Sequence, residues 1–252
     1  MLKRALLLAA ALALPLGAAL AAPADVAAAV SAPGRPADAI ALDEVRKPAE
    51  VLRWLGLERG DRVLDYFTGT GYYAEIMARA VGPTGSVTGW NSSGFGRSER
   101  VRAAVAGIRE RSPNTAFYFT PTTALSFAPA SYDFILLHLV YHDAYWESAQ
   151  FGLPRIDPNT VTAALFQATK PGGTVAVIDH IGGPGETRAV VEATHRIDPA
   201  TVRADFERAG FEFVGETDML RNAADDHSKN VFDPSIRGRT DRFVYRFRRP
   251  AR

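Results

Sequence analysis

Six consecutive residues, His138-Leu139-Val140-Tyr141-His142-Asp143, gather two imidazoles, a phenol and a carboxylate at the end of an apolar run. Imidazole titrates near neutral pH and can take a proton from a reacting group. His142 is therefore the candidate base, with Tyr141 and Asp143 as neighbours that orient it or touch a substrate. His138 falls inside the apolar run and reads as a core histidine. The four-residue spacing of His138 and His142 straddles the end of a strand, so the helical geometry that makes such a spacing a metal pair is missing. No metal site is expected, although a hydrolase metal centre drawing on these histidines with Asp143, Asp226 and His227 is a third reading.

A second stretch, Val63-Leu64-Asp65-Tyr66-Phe67-Thr68-Gly69-Thr70-Gly71, runs from apolar residues through an acid into a glycine-bearing turn. Gly69 and Gly71 lack a β-carbon, so the backbone can take positive φ and let a ligand approach a helix N-terminus, where free N–H groups favour negative charge. Asp65 closes the strand and faces that loop. Of the remaining polar clusters, Asp198 reads as a helix cap, while His195 and Arg196 are available to an acidic acceptor. Arg221, Asp225, Asp226 and His227 lie in a long connection, and connections of that length are often functional. It reads as a loop folded over the cleft, with Arg237 and Arg239 bringing cations to it.

Hydrophobic patterning supplies the elements that would position these groups. Strands are expected at residues 62–66, 86–90, 116–119, 134–140, 174–179, 211–216 and 242–248, and helices at 72–81, 97–111, 158–169 and 199–209. Residues 134–140 are apolar on both faces, as at the centre of a parallel sheet. Asp157-Pro158 and Asp198-Pro199 each place a capping carboxylate before a proline in the first turn. Asp43 is expected to cap a helix with Val45, Val51, Leu52, Leu55 and Leu57 on one face, ending at Gly56. In the last strand Phe243, Tyr245 and Phe247 alternate with Val244, Arg246 and Arg248, which predicts one buried face and one solvated cationic face.

The Asp65–Gly71 loop, the following βαβ pattern and the Lys170-Pro171-Gly172-Gly173 turn before an apolar strand together resemble class I S-adenosylmethionine-dependent methyltransferases, over roughly residues 43–249. The tail from Asp225 to Phe243 is similar to an exported subgroup of predicted methyltransferases. The resemblance implies an α/β fold: a Rossmann-like, mostly parallel seven-stranded sheet with helices on both faces and the last strand antiparallel. It implies S-adenosylmethionine bound at the carboxyl ends of the strands, under a roof formed by the segment that starts at Asp43, and acceptor-side residues just after the fourth strand. By the family's loop pattern Asp65, Gly69 and Gly71 match, while Phe67 stands where the first glycine falls. Asn91 stands where the family has the acid that grips the ribose, and Thr122 is the nearest polar group at the adenine position. Asp65, Phe67, Gly69, Gly71, Asn91 and Thr122 are thus the expected cofactor residues, and His142, Tyr141 and Asp143 the catalytic ones.

Apolar residues make up 47% of the 252-residue chain and charged residues 23%, which suits one globular domain. Lys3 and Arg4 followed by an Ala/Leu run and Ala19-Leu20-Ala21 read as a secretory signal peptide over residues 1–21. Cleavage there would turn the formal charge of +1 into −1, which offers no electrostatic case for nucleic acid. There are no cysteines to form a disulfide or carry a lipid anchor. Residues 22–42 read as an Ala/Pro-rich linker and 43–252 as the methyltransferase-like domain. The expected function is methyl transfer in the periplasm to a small or envelope-associated acceptor, with no stable membrane anchor. The alternative is a periplasmic ligand-binding module whose cofactor contacts have decayed.

Overall fold

The structure, a computed structural model, describes residues 22–251; the signal-peptide segment lies outside the described residues. Sixteen regular elements follow in order: α1 (Val26–Ser31), α2 (Ala37–Ile40), α3 (Asp43–Arg46), α4 (Pro48–Leu55), β1 (Arg62–Tyr66), α5 (Tyr72–Val81), β2 (Ser86–Ser92), α6 (Glu99–Arg111), β3 (Thr115–Thr120), β4 (Tyr132–His138), α7 (Pro158–Ala168), β5 (Thr169–His180), α8 (Thr187–Thr194), α9 (Pro199–Arg208), β6 (Glu212–Thr217) and β7 (Arg242–Arg248). The strands form one sheet in the order β3-β2-β1-β4-β5-β7-β6, with β7 antiparallel to both of its neighbours.

Alternation along the central strands feeds two separate cores. Phe134 and Leu136 of β4 pack with Val51, Leu52 and Leu55 of α4 and Ile76 and Met77 of α5 on one face. Ile135 and Leu137 pack with Val161 and Leu165 of α7 and Val202 and Phe206 of α9 on the other. Burial on both faces is what makes the middle of β4 read as unbroken hydrophobicity. That strand stops at His138, two residues before the end of its apolar run, because Leu139 takes φ 58° and turns the chain. His142 is thereby moved onto a 3-10 turn, Tyr141–Tyr145.

Three sequence expectations need correction. Residues 22–42 are not a linker: Val26 and Ala29 of α1 are buried against the first core, and Arg35 forms a 2.6 Å ion pair with Asp43. Alanines here act as small packing residues, which a compositional reading mistakes for low complexity. Asp43 does not cap a long helix; Lys47 in the left-handed region breaks that helix in two, and the Asp43 carboxylate accepts from Arg35 and the Tyr72 hydroxyl. The second face of β7 is solvated only at its end, where Arg248 is exposed. Val244 and Arg242 are buried, and Arg246 lies 5.0 Å over the Trp54 ring while donating to the Trp54 carbonyl.

Candidate active site

The glycine loop leaves β1 at its carboxyl end and is fixed from below. Asp65 accepts from Thr68 Oγ1 at 2.5 Å and from the Ala74 N–H, and burial pushes its carboxyl up to about 7. Asn91 Oδ1 accepts from the Gly69 N–H at 2.9 Å while its Nδ2 donates to the Gly69 carbonyl at 3.0 Å. This two-point clamp corrects the expected ribose contact: Asn91 is almost fully buried and holds the loop. Gly71 caps the N-terminus of α5 at φ 84°, where a β-carbon would fall 2.4 Å from Ile108 Cδ1. Phe67 adopts φ 58°, a region that costs a side-chain-bearing residue about 1–2 kcal/mol. Its ring offsets that strain by packing edge-on against Trp90 at 5.2 Å and Phe95 at 5.1 Å.

Above the loop lies a cavity of about 710 Å³, within the 300–1,000 Å³ range usual for small-molecule sites. Phe67, Thr68, Gly69 and Thr70 line one end, together with Arg46 and Tyr72. A β-carbon on Gly69 would meet no atom within 4 Å, so this glycine opens directly onto the space. Arg46 stacks 4.4 Å over the Tyr72 ring and has no ion-pair partner among the described residues, leaving a half-buried cation at the cavity wall. A carboxylate on a ligand would answer it. Thr122 is elsewhere, in a neighbouring slot of about 10 Å³ shared with Phe67 and Asp143; that is room for about one water molecule.

The other end of the cavity is lined by four histidines, His138, His142, His180 and His195, with Asp143, Trp146 and Phe232. His142 Nδ1 lies 2.8 Å from Asp179 Oδ1, and the His142 backbone N–H donates to Asp179 Oδ2. His142 Nε2 lies 3.5 Å from Asp143 Oδ1. Burial alone would push this imidazole down, but the two carboxylates outweigh it and raise it to about 9. At neutral pH it is the protonated partner of two acids, and the expected base would act only after giving that proton up. Burial lifts the Asp143 carboxyl to about 6 against the pull of His142. The same burial, with the neighbouring His142 charge, lowers His195 to about 4 and keeps it neutral.

Tyr141 is not in this group. Its side chain is fully buried on the opposite side of the turn, where the hydroxyl donates to Asp205 Oδ2 at 2.8 Å. His138, expected in the core, instead borders the cavity, and its Nε2 is buried without a partner. Arg196 is spent on structure: it makes paired 2.9 Å bonds to Asp225 and shows no surface. The long connection between β6 and β7 does cover the cleft, supplying Val231, Phe232 and Arg237 to its wall. Asp226 and His227 stay outside the cavity wall, and His227 bonds Asp241 at 3.0 Å. Asp179, His180, Arg46 and Trp146 were not singled out from sequence. For Asp179 a signal existed, since an acid ending an apolar strand marks the carboxyl edge of the sheet.

Comparison with known proteins identifies relatives of the fold. Residues 41–109 match the sequence model of the protein-L-isoaspartate(D-aspartate) O-methyltransferase family. The ubiquinone/menaquinone biosynthesis C-methyltransferase of Bdellovibrio bacteriovorus is 30% identical over 131 residues, 52% of this chain and 48% of that one. The chain therefore spans about half the length of the curated relatives it matches. Among solved structures, an S-adenosylmethionine-dependent methyltransferase from Aquifex aeolicus superposes with TM-score 0.56 at 17% identity, covering 82% of this chain and 97% of the other. Phosphoethanolamine N-methyltransferase 2 of Haemonchus contortus, in complex with S-adenosyl-L-methionine, gives TM-score 0.56 at 14% identity over 84% of this chain and 56% of that one. The fold is that of the S-adenosylmethionine-dependent methyltransferases.

Proposed function

We propose that this chain is an S-adenosylmethionine-dependent methyltransferase acting on a small acceptor with an apolar or aromatic body. The observation that carries the reading is the single cavity that joins the glycine loop to the histidine cluster. The loop end fits the cofactor in three respects: Gly69 opens onto the cavity, the Thr68–Thr70 backbone borders it, and Arg46 offers an unanswered cation to an amino-acid carboxylate. When bound, the cofactor supplies a methyl group on a sulfonium, an electrophile transferred by in-line displacement.

The chain's own residues then align and shield. Phe67 and Phe95 line the cavity from the loop side, and Trp146, Phe151 and Phe232 from the other, a lining suited to an apolar ring. A C-methyltransferase of ubiquinone/menaquinone biosynthesis among the relatives agrees with that acceptor chemistry. His142 and Asp143 meet the reacting end of the acceptor, with Asp179 holding the His142 ring. Calorimetric titration with S-adenosylmethionine, followed by transfer of labelled methyl to candidate acceptor pools, tests the reading; absence of cofactor binding would end it.

Export belongs to the same proposal. Its support is the Lys3-Arg4 start, the Ala/Leu run and the Ala19-Leu20-Ala21 site, with the described chain in contact with the domain from Ala22, whose carbonyl accepts from the Arg59 N–H at 2.9 Å. N-terminal sequencing of the protein from its native host should begin near Ala22, and an uncleaved chain would contradict it.

A further inference from the structure

We propose that His142, Asp143 and His195 form a binding site for one first-row divalent cation of the Zn²⁺ class, at the acceptor end of the cavity. One nitrogen of each ring and a carboxylate oxygen of Asp143 lie within 4.8 Å of one another. Around Zn²⁺ with nitrogen and oxygen ligands at 2.0–2.2 Å, tetrahedral geometry sets neighbouring ligand atoms about 3.4 Å apart. The His142 Nε2 to Asp143 Oδ1 distance, 3.5 Å, already has that value. The His195 nitrogen lies within 4.8 Å of both other ligand atoms.

The surroundings supply what a metal site requires beyond its ligands. A ligating histidine almost always gives its other nitrogen to a carboxylate or carbonyl, which fixes the ring and aims the free lone pair. Asp179 does this for His142 at 2.8 Å, and is itself anchored by the backbone N–H groups of His142 and His180. An ion pair between His142 and Asp143 would account for those two residues without a metal, but it leaves His195 unexplained. Nδ1 of His195 is buried with no hydrogen-bond partner, and the residue as a whole is 92% buried by its 8% exposure. Buried polar atoms are rarely left so, and a missing ion is one of the standard reasons. The His195 ring is held edge-on by Trp146 at 4.5 Å and Phe232 at 5.0 Å.

Two imidazoles and one carboxylate select borderline cations over Mg²⁺ or Ca²⁺, which prefer all-oxygen sets. Three protein ligands leave a coordination position open to the cavity, the arrangement of reactive rather than structural Zn²⁺. No sequence spacing announces the site, because His195 reaches it from the end of α8, more than fifty residues from His142. The inference stands on this cluster alone and needs no cofactor, so its failure and that of the methyl-transfer reading appear in different titrations.

The test uses untagged protein stripped with a chelator and exchanged into metal-free buffer, then titrated with Zn²⁺ by calorimetry and with Co²⁺ by visible absorption. One equivalent should bind, and Co²⁺ should develop the intense bands of a four-coordinate site. His195→Gln and Asp143→Asn should each weaken Zn²⁺ at least tenfold. Asp179→Asn should weaken it by about 10–100-fold, the usual effect of an outer partner. His227→Gln, bonded to Asp241 outside the cluster, should leave affinity unchanged. Melting curves accompany each variant; if His195→Gln is unfolded, Asp143→Asn decides, since Asp143 touches solvent. No uptake, or uptake equal in the folded variants and the parent, would overturn the proposal.

Discussion

Asp179 Oδ1 and His142 Nδ1 lie 2.8 Å apart at the carboxyl edge of the sheet, joining the end of β5 to the 3-10 turn after β4. The same carboxylate also accepts from the backbone N–H groups of His142 and His180. Burial opposes its ionisation, but the His142 charge and these bonds hold Asp179 below the usual carboxylate range. Asp179→Asn replaces one accepting oxygen with a donor facing donors, so the folded state should lose about 1–3 kcal/mol, the cost of a buried unmet polar group. Denaturant unfolding measures it. An unchanged midpoint would mean that the His142 turn is held by packing alone.

Asn91→Asp is the substitution that sequence reasoning favours, because it restores the family's acid. The structure predicts the reverse. A carboxylate at this position would still accept from the Gly69 N–H, but its second oxygen would face the Gly69 carbonyl, where Asn91 now donates. Stability should fall by about 1–3 kcal/mol, with weaker cofactor binding as the loop loosens. Tighter binding without loss of stability would show that the residue turns toward the ribose.

The two loop glycines should respond differently. Gly71→Ala drives a β-carbon to 2.4 Å from Ile108 Cδ1 at φ 84°, so it should lower melting temperature. In Gly69→Val the β-carbon meets no neighbour, and the backbone cost is the φ 58° strain of about 1–2 kcal/mol. It should fold and lose ligand binding, because the side chain projects into the cavity. Equal melting losses in both would contradict this division, and circular dichroism melts with binding titrations separate the cases.

Asp65 supplies a pH signature. Its folded-state value of about 7 lies above the ordinary 3.8, so the folded protein holds a proton that the unfolded chain has released. That contribution to stability is complete below about pH 4 and is lost as pH rises toward 7. Asp65→Asn keeps an acceptor for Thr68 but does not titrate. Its stability relative to the parent should therefore climb between pH 4 and 7 and level off above. Parallel curves for the two proteins would mean that Asp65 is ionised in the fold.

How far the sequence was legible depended on whether a signal was local. β1 and α5 fall at the expected residues because an apolar strand, a glycine turn and an amphipathic helix are each written within a few positions. The Asp157 and Asp198 caps were legible for the same reason. The fate of a polar side chain was not, since it depends on which distant element arrives opposite. Tyr141 turned to Asp205, Asn91 to Gly69, Arg196 to Asp225, and His195 joined His142. The alanine-rich start was misread because small residues that allow close packing look the same as those that prevent it.

On the proposed function, the cavity over Gly69 binds S-adenosylmethionine. Calorimetric titration of the folded protein with the cofactor, and with its demethylated product, measures this most directly. One site per chain is expected, with heat lost in Gly69→Val and reduced when Arg46 is replaced by Met. No binding to the parent protein, or equal binding in both variants, would contradict it.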